Sequence, residues 1–179
     1  MSFRLQPGAF KRYTAKRAMS ENSIEIQVAS EKDIPLVHSF IRGLAEFDGH
    51  LDRFTLTEPE LHNIMFGKER GLEGLIAYVN KQPWGFAAFF HNFPTFSGRR
   101  ALFIEDLFVY PDQRGSGIGK ALLKKLAQIA IERNCCRLEW WTMNWNTKAR
   151  EFYKKLGAQA KEECLIHVLD GEALTKLAT

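Results

Sequence analysis

Cysteine is scarce in this chain. There are three, Cys135, Cys136 and Cys164, an odd number with two adjacent. That excludes a disulfide framework and points to a reducing compartment, the cytosol. All three are expected to be buried rather than nucleophilic. Long apolar runs are also absent, since none approaches the roughly 20 residues that a membrane-spanning helix needs. No histidines or cysteines stand at a metal-ligand spacing, and the five histidines are scattered, so no metal is expected. Internal repeats and low-complexity tracts are missing as well. With 179 residues, the chain suits one domain with a sizeable core, carrying a tail.

Acid is missing from one place. Residues 1–18 hold Arg4, Lys11, Arg12, Lys16 and Arg17 without a single Asp or Glu. The net charge is +4, so without those five the body stands near −1, and the basic pI reports the tail. Such a tail can touch nucleic acid or membrane, or serve as a targeting peptide. It lacks the apolar centre of a secretory signal, and its weak periodicity fits a disordered extension, or an upstream start with Met19 as the true beginning. Residues 1–22 are therefore expected to be a flexible extension to a domain over 23–179, with neither nucleic acid nor membrane as partner.

What the chain does have is a strand-like stretch, Ala101–Tyr110, entering a glycine-rich turn, Arg114-Gly115-Ser116-Gly117-Ile118-Gly119-Lys120, that opens a helix. Ile118, Leu122, Leu126 and Ile129/Ala130 recur at helical spacing behind it. Glycines let backbone approach closely, and first-turn N–H groups with the helix dipole face an anion, so a phosphate-bearing cofactor is implied. The Walker spacing fails, because Arg114 stands where its first glycine belongs and Ala121 follows Lys120. The dinucleotide fingerprint fails in both registers, meeting Lys120 or Leu122 at its third glycine. The pattern that fits is Arg/Gln-x-x-Gly-x-Gly/Ala.

Elsewhere Ile24–Ala29 alternates as a strand. Ser30–Asp33 is a capping box opening a helix with Ile34, Val37, Phe40/Ile41, Leu44 and Phe47 on one face, ending at Asp48-Gly49. Thr57–Glu60 is a second box, opening a short helix through Leu61, Ile64 and Met65. Leu72–Asn80 and Trp84–Phe93 form a hairpin around Asn80–Pro83. Cys136–Met143 is a further strand. Asn146 caps a helix that Gly157 ends. Leu165–Leu169 supplies a last strand, and Gly171–Leu177 a closing helix. The order β-α-α-β-β-β-α-β-α-β describes a mixed-sheet α/β domain.

Both alternating sets of Ala101–Tyr110 are apolar, as in a strand covered on both sides. Glu105 and Asp106 interrupt it, one pointing to each face. A buried carboxylate needs a partner, a polar cleft or a raised pKa. One such residue is as readily paired with an arginine as functional, but two immediately before a phosphate loop favour a general base or a cation-binding acid. Tyr153 shares a helical face with Ala149 and Leu156, beside Phe152. An aromatic at that spacing is usually core. A tyrosine next to a thioester can also protonate a departing thiolate, phenol titrating near about 10 and a thiol near about 8.5.

Arg114-x-x-Gly117-x-Gly119 resembles the acetyl-CoA pyrophosphate loop of the GNAT N-acetyltransferase superfamily. Asn146-x(5)-Phe152-Tyr153-Lys154-x-Leu156-Gly157-Ala158 is similar to its second cofactor motif. Ile104–Val109 with Arg114–Gly119 looks closest to diamine (spermidine/spermine) N-acetyltransferases and their thialysine-acetylating relatives, over roughly residues 24–170. The resemblance implies a GNAT-like domain, a mixed and mostly antiparallel sheet flanked by helices. It implies acetyl-CoA as donor, a small cationic amine as acceptor and a homodimer. Leu107, Phe108 and Val109 would meet the pantetheine arm. Arg114, Gly115, Ser116, Gly117, Ile118, Gly119 and Lys120 would wrap the pyrophosphate, mainly through main-chain amides. Asn146 and Phe152 would line the acyl end, and Tyr153 would protonate the thiolate. Glu105, with Asp106 near, would attract the amine and take its proton through water. Phe47 and Asp48 would grip the amine chain, with Glu139 adding to the acidic field. At Phe47 and Asp48 the family commonly has Tyr and Glu, so the reach and hydrogen bonding of these two side chains differ here. A protein or peptide acetyltransferase and a non-catalytic acyl-CoA-binding module are the rival functions.

Overall fold

The computed structural model describes residues 23–68 and 70–179, and the basic extension expected over 1–22 lies outside them. The chain groups into two compact units, one ending at Trp140 and one running Trp141–Thr179. The first holds a five-stranded sheet in the order β1-β2-β3-β4-β5, made by Ile24–Val28, Glu73–Val79, Gln82–Asn92, Ala101–Val109 and Leu138–Trp140. Neighbours pair antiparallel except β4 and β5, which run parallel. Helices α1 (Ile34–Phe47) and α2 (Glu58–Phe66) cover one face, and α3 (Ile118–Glu132) covers the other. The architecture is the α/β class expected, a mostly antiparallel mixed sheet flanked by helices.

Local chemistry explains most of these boundaries. Ser30 donates from its N–H and its hydroxyl to Asp33 Oδ2, at 2.9 and 2.6 Å. That box closes a 3-10 turn over Glu31–Asp33, and α1 starts directly behind it. Thr57 and Glu60 make the reciprocal box of α2, with bonds of 2.8 and 2.7 Å into Glu60 Oε2. Leu61 and Met65 are buried, but Ile64, expected beside them, is exposed, since a nine-residue helix presents too narrow a face to bury all three. The hairpin turn is only Asn80-Lys81, both at positive φ (52° and 64°), as a two-residue type I′ turn requires. Gln82 and Pro83, expected in the turn, belong to β3. Pro83, which cannot donate to a ladder, sits where the β2–β3 register shifts.

The core beneath α1 is aromatic. Phe40 stacks on Phe86 at 5.7 Å between centroids and meets Phe108 edge-on at 6.3 Å. On the other face Ile118, Leu122, Leu126, Ile129 and Ala130 are buried, as their spacing predicts. Gly85 of β3 lets α3 approach, because a Cβ there would stand 2.7 Å from Ile118 Cγ2 and 3.3 Å from Leu122 Cδ1. Ile118 is the first residue of α3 and cannot easily give way. Gly85→Ala should therefore cost about 1–3 kcal/mol in urea unfolding, by overpacking. An unchanged midpoint would show that α3 shifts freely.

In the second unit α4 (Thr147–Lys155) starts at Asn146, whose Oδ1 accepts from Ala149 N at 3.2 Å, and Gly157 follows it at φ 89°. Helix α5 (Gly171–Leu177) forms as expected. Two expectations fail. The strand over Cys136–Met143 shrinks to Leu138–Trp140, and Leu165–Leu169 forms no strand, its apolar side chains lying mostly exposed. Alternation makes a strand only where a partner supplies a ladder, and among the described residues none pairs with this segment. The cysteines differ too: Cys164 is exposed, and Cys135 and Cys136 are half-buried, because they precede β5 instead of entering the sheet.

Candidate active site

Regular alternation would put Glu105 and Asp106 on opposite faces of β4. The pairing interrupts it. Phe89 of β3 stands opposite Ile104, and the next residue, Ala88, stands opposite Asp106. One step on β3 answers two on β4, so Glu105 is the extra residue of a β-bulge. Opposed residues share a face, so the two faces exchange there. Leu102 and Ile104 lie with Leu107 and Val109, and Phe103 with Asp106 and Phe108. The bulge leaves Glu105 exposed and carries Asp106, half-buried, to the α1 side.

The ladder between β4 and β5 ends at Ile104–Trp140. Beyond it, among the described residues, no strand pairs with that side of β4. Tyr110 N donates to Trp84 O of β3 at 3.1 Å. By the alternation of strand backbone, Leu107 and Val109 turn their N–H and C=O groups away from β3, onto the open edge. Phe108, which the resemblance grouped with them, is oriented differently. Its ring is buried against Phe40 and Tyr110 and its backbone faces β3, so it belongs to the core.

After β4 a 3-10 turn, Pro111–Gln113, leads to Gly115 at φ 82° and Gly117 at φ 93°. These left-handed conformations suit glycine. They turn the chain into α3, and Ser116 Oγ braces the turn by donating to Gln113 O at 2.6 Å. Among the described residues, the N–H groups of Gly115 through Lys120 have no backbone acceptor. Nothing lies within 4 Å of where a Cβ on Gly115 would stand. A glycine-rich loop at a helix start whose N–H groups have no backbone acceptor fits a diphosphate, the group that acetyl-CoA carries. Ile118 can contribute only its N–H, since its side chain is buried.

Helix α1 ends beside this loop. His50 N donates to Ala45 O at 2.8 Å and Gly49 N to Glu46 O at 3.2 Å, with Gly49 at φ 75°. This Schellman closure fixes Phe47 and Asp48 at the helix terminus. The Arg114 guanidinium lies 4.0 Å over the Phe47 ring, and its Nε donates to Val109 O at 3.0 Å. Burial raises the Asp48 carboxyl above its ordinary range, against the lowering pull of His50 and Arg114. Burial also pushes Asp106 up to about 7, with repulsion from Glu105 and then Asp48 adding to it. Three carboxylates thus share one field, beside the open edge of β4. Glu139 is held elsewhere. Its two oxygens take Arg137 Nε at 2.8 Å and Asn92 Nδ2 at 2.9 Å, so its charge is already answered.

In the second unit the Phe152 and Tyr153 rings lie 5.3 Å apart in α4. Burial alone pushes the Tyr153 phenol up to about 12, which keeps it protonated at neutral pH. Asn146 spends its Oδ1 on the helix cap. The bulge at Glu105 and the reach of Arg114 to Phe47 carry no signal in the sequence of β4 or of the loop. Both depend on what stands opposite.

The acetyltransferase (GNAT) family model matches residues 40–158. A thialysine N-epsilon-acetyltransferase of Bos taurus is 31% identical over 166 residues, which are 87% of this chain and 97% of that one. An L-ornithine N5-acetyltransferase of Arabidopsis thaliana is 25% identical over 194 residues, covering 83% and 85% of the two chains. Among solved structures, an integron cassette protein from the mobile metagenome of V. cholerae superposes with a TM-score of 0.72 at 33% identity, covering 87% of this chain and 98% of that one.

Proposed function

Since this chain belongs to the acetyltransferase (GNAT) family and is an acetyl-transferring enzyme, we propose that its acceptor is the primary amine of a small cation, a lysine-like amino acid or a polyamine. One observation carries the reading: Asp48, Glu105 and Asp106 gather beside the open edge of β4 and the amide-lined loop. Acetyl-CoA, when bound, supplies an acetyl group activated as a thioester.

The residues of the chain do the rest. An alkyl amine titrates near about 10.4, so at neutral pH about 99.9% of it is protonated and cannot attack. The carboxylates draw in the cation. Glu105, set outward by the bulge, then takes the proton through a water. Leu107 and Val109 offer backbone groups along the edge where negative charge develops on the acyl oxygen. The Gly115–Lys120 amides hold the diphosphate. Tyr153, whose role rests on the resemblance of its motif, gives its phenolic proton to the departing sulfur. Tyr153→Phe should lower turnover about a hundredfold while CoA binding, measured by calorimetry, persists. Unchanged turnover would remove Tyr153 from the reaction.

The deciding experiment is CoA release from acetyl-CoA with thialysine, L-ornithine, L-lysine, spermidine, spermine, putrescine and a lysine peptide. Turnover with the amino acids or the polyamines supports the reading and divides its two branches. Turnover with the peptide alone moves the protein to peptide acetylation, and acetyl-CoA binding without any turnover moves it to a binding module.

A further inference from the structure

Arg114 is the first residue of the cofactor loop, yet its side chain belongs to the other half of the site. The guanidinium covers Phe47 at 4.0 Å, Nε is bonded to Val109 O at 3.0 Å, and its charge acts on Asp48. Asp48 stands at the C-terminal end of α1, where the helix dipole already disfavours a negative charge. It wants a cation, and two candidates compete for it: Arg114 and the incoming ammonium. We propose that Arg114 couples the two ligands, an anion on the Gly115–Lys120 amides drawing the guanidinium away from its seat over Phe47, next to Asp48, and leaving that carboxylate to hold the amine. This inference rests on the acetyl-CoA-dependent reading above and deepens it.

The balance of contacts favours the exchange. Arg114 is exposed and would give up one bond to a neutral carbonyl and one ring contact. A diphosphate offers it paired, charge-assisted hydrogen bonds, for which a planar guanidinium is suited. Asp48 stays where it is, locked by the closure of α1 at Gly49 and His50. Only Arg114 needs to move. The mouth then gains one uncompensated negative charge when the loop is filled and loses it when the loop empties. By linkage, the factor by which CoA tightens the amine must equal the factor by which the amine tightens CoA.

The test is calorimetry of thialysine and, in parallel, spermidine, each with and without saturating CoA, on the wild type, Arg114→Gln and Asp48→Asn. Glutamine is an alternative residue in the loop pattern itself, so the loop should keep its shape. The wild type should bind the amine about tenfold more tightly when CoA is present, near the lower end of the usual roughly 5–150-fold coupling. Arg114→Gln should bind amine without CoA nearly as tightly as the loaded wild type, with coupling below about twofold, and Asp48→Asn should bind it weakly in both states. The Arg114 Nε–H resonance in a nitrogen-15 spectrum, assigned by its loss in Arg114→Gln, should shift on CoA addition with no amine present. Binding of both ligands without coupling, coupling that survives Arg114→Gln, or an unmoved resonance with CoA bound would each overturn the inference and leave the acetyltransferase reading intact. Failure of CoA to bind the wild type would overturn both.

Discussion

Glutamine in place of Glu105 should lower kcat/KM for the amine about a hundred- to a thousandfold at pH 7, the scale of a lost general base, with CoA affinity unchanged. The substitution keeps size and removes the negative charge together with the ability to accept a proton. Glu105 is the exposed extra residue of a bulge, so the variant should fold with stability within about 0.5 kcal/mol of the wild type. The pH profile distinguishes a base from an attracting charge. Without the base, the rate should follow the free-amine fraction and rise tenfold per pH unit, closing on the wild type as pH nears about 10. A deficit that stays constant with pH would make Glu105 a binding residue only.

Asp106→Asn should behave in the opposite way toward folding. The native carboxyl titrates at about 7 against an ordinary 3.8, chiefly because it is buried. Below pH 3.8 the group is neutral in both states and costs nothing. As pH rises toward about 7, the unfolded chain gives up its proton first and the native state loses ground. Above that both states are ionised and the loss is constant, on the order of 4 kcal/mol for this difference. Asparagine removes the penalty. The variant should match the wild type near pH 3.8 and exceed it by as much as about 4 kcal/mol at pH 8 in urea unfolding, while amine affinity falls. A variant less stable than the wild type at pH 8 would mean that the carboxylate is held by a native bond, and would take Asp106 out of the acidic field.

The fold was legible wherever the cause is local. Both capping boxes work over three residues, the stripe of α3 lies within one helix, and the Gly115–Gly117 turn needs only its own backbone. The sheet's class followed from those elements in order. What stayed hidden depends on partners distant in the chain. Nothing within Ala101–Tyr110 shows that β3 skips Glu105, so alternation assigned the wrong faces from Asp106 onward. Leu165–Leu169 has the composition of a strand but no ladder among the described residues. Glu139 carries an acid's charge in sequence, and only Arg137 and Asn92 reveal that it is taken. The acids at Asp48, Glu105 and Asp106 were identifiable singly; their mutual repulsion appears only when α1 and β4 are set together.

The stopping of β5 at Trp140 has a consequence for the protein before any ligand arrives. A strand side that no further strand pairs, with Arg114 answering only Val109 O, is a template on which a neighbouring chain can add to the sheet, the hazard that proteins usually blunt at their edges. Leu107 and Val109 carry no charge to repel such a guest. A cofactor lying along that side would act as a chaperone in the literal sense, occupying the template and stabilising the native state by mass action, about 2.7 kcal/mol at a hundred times its dissociation constant.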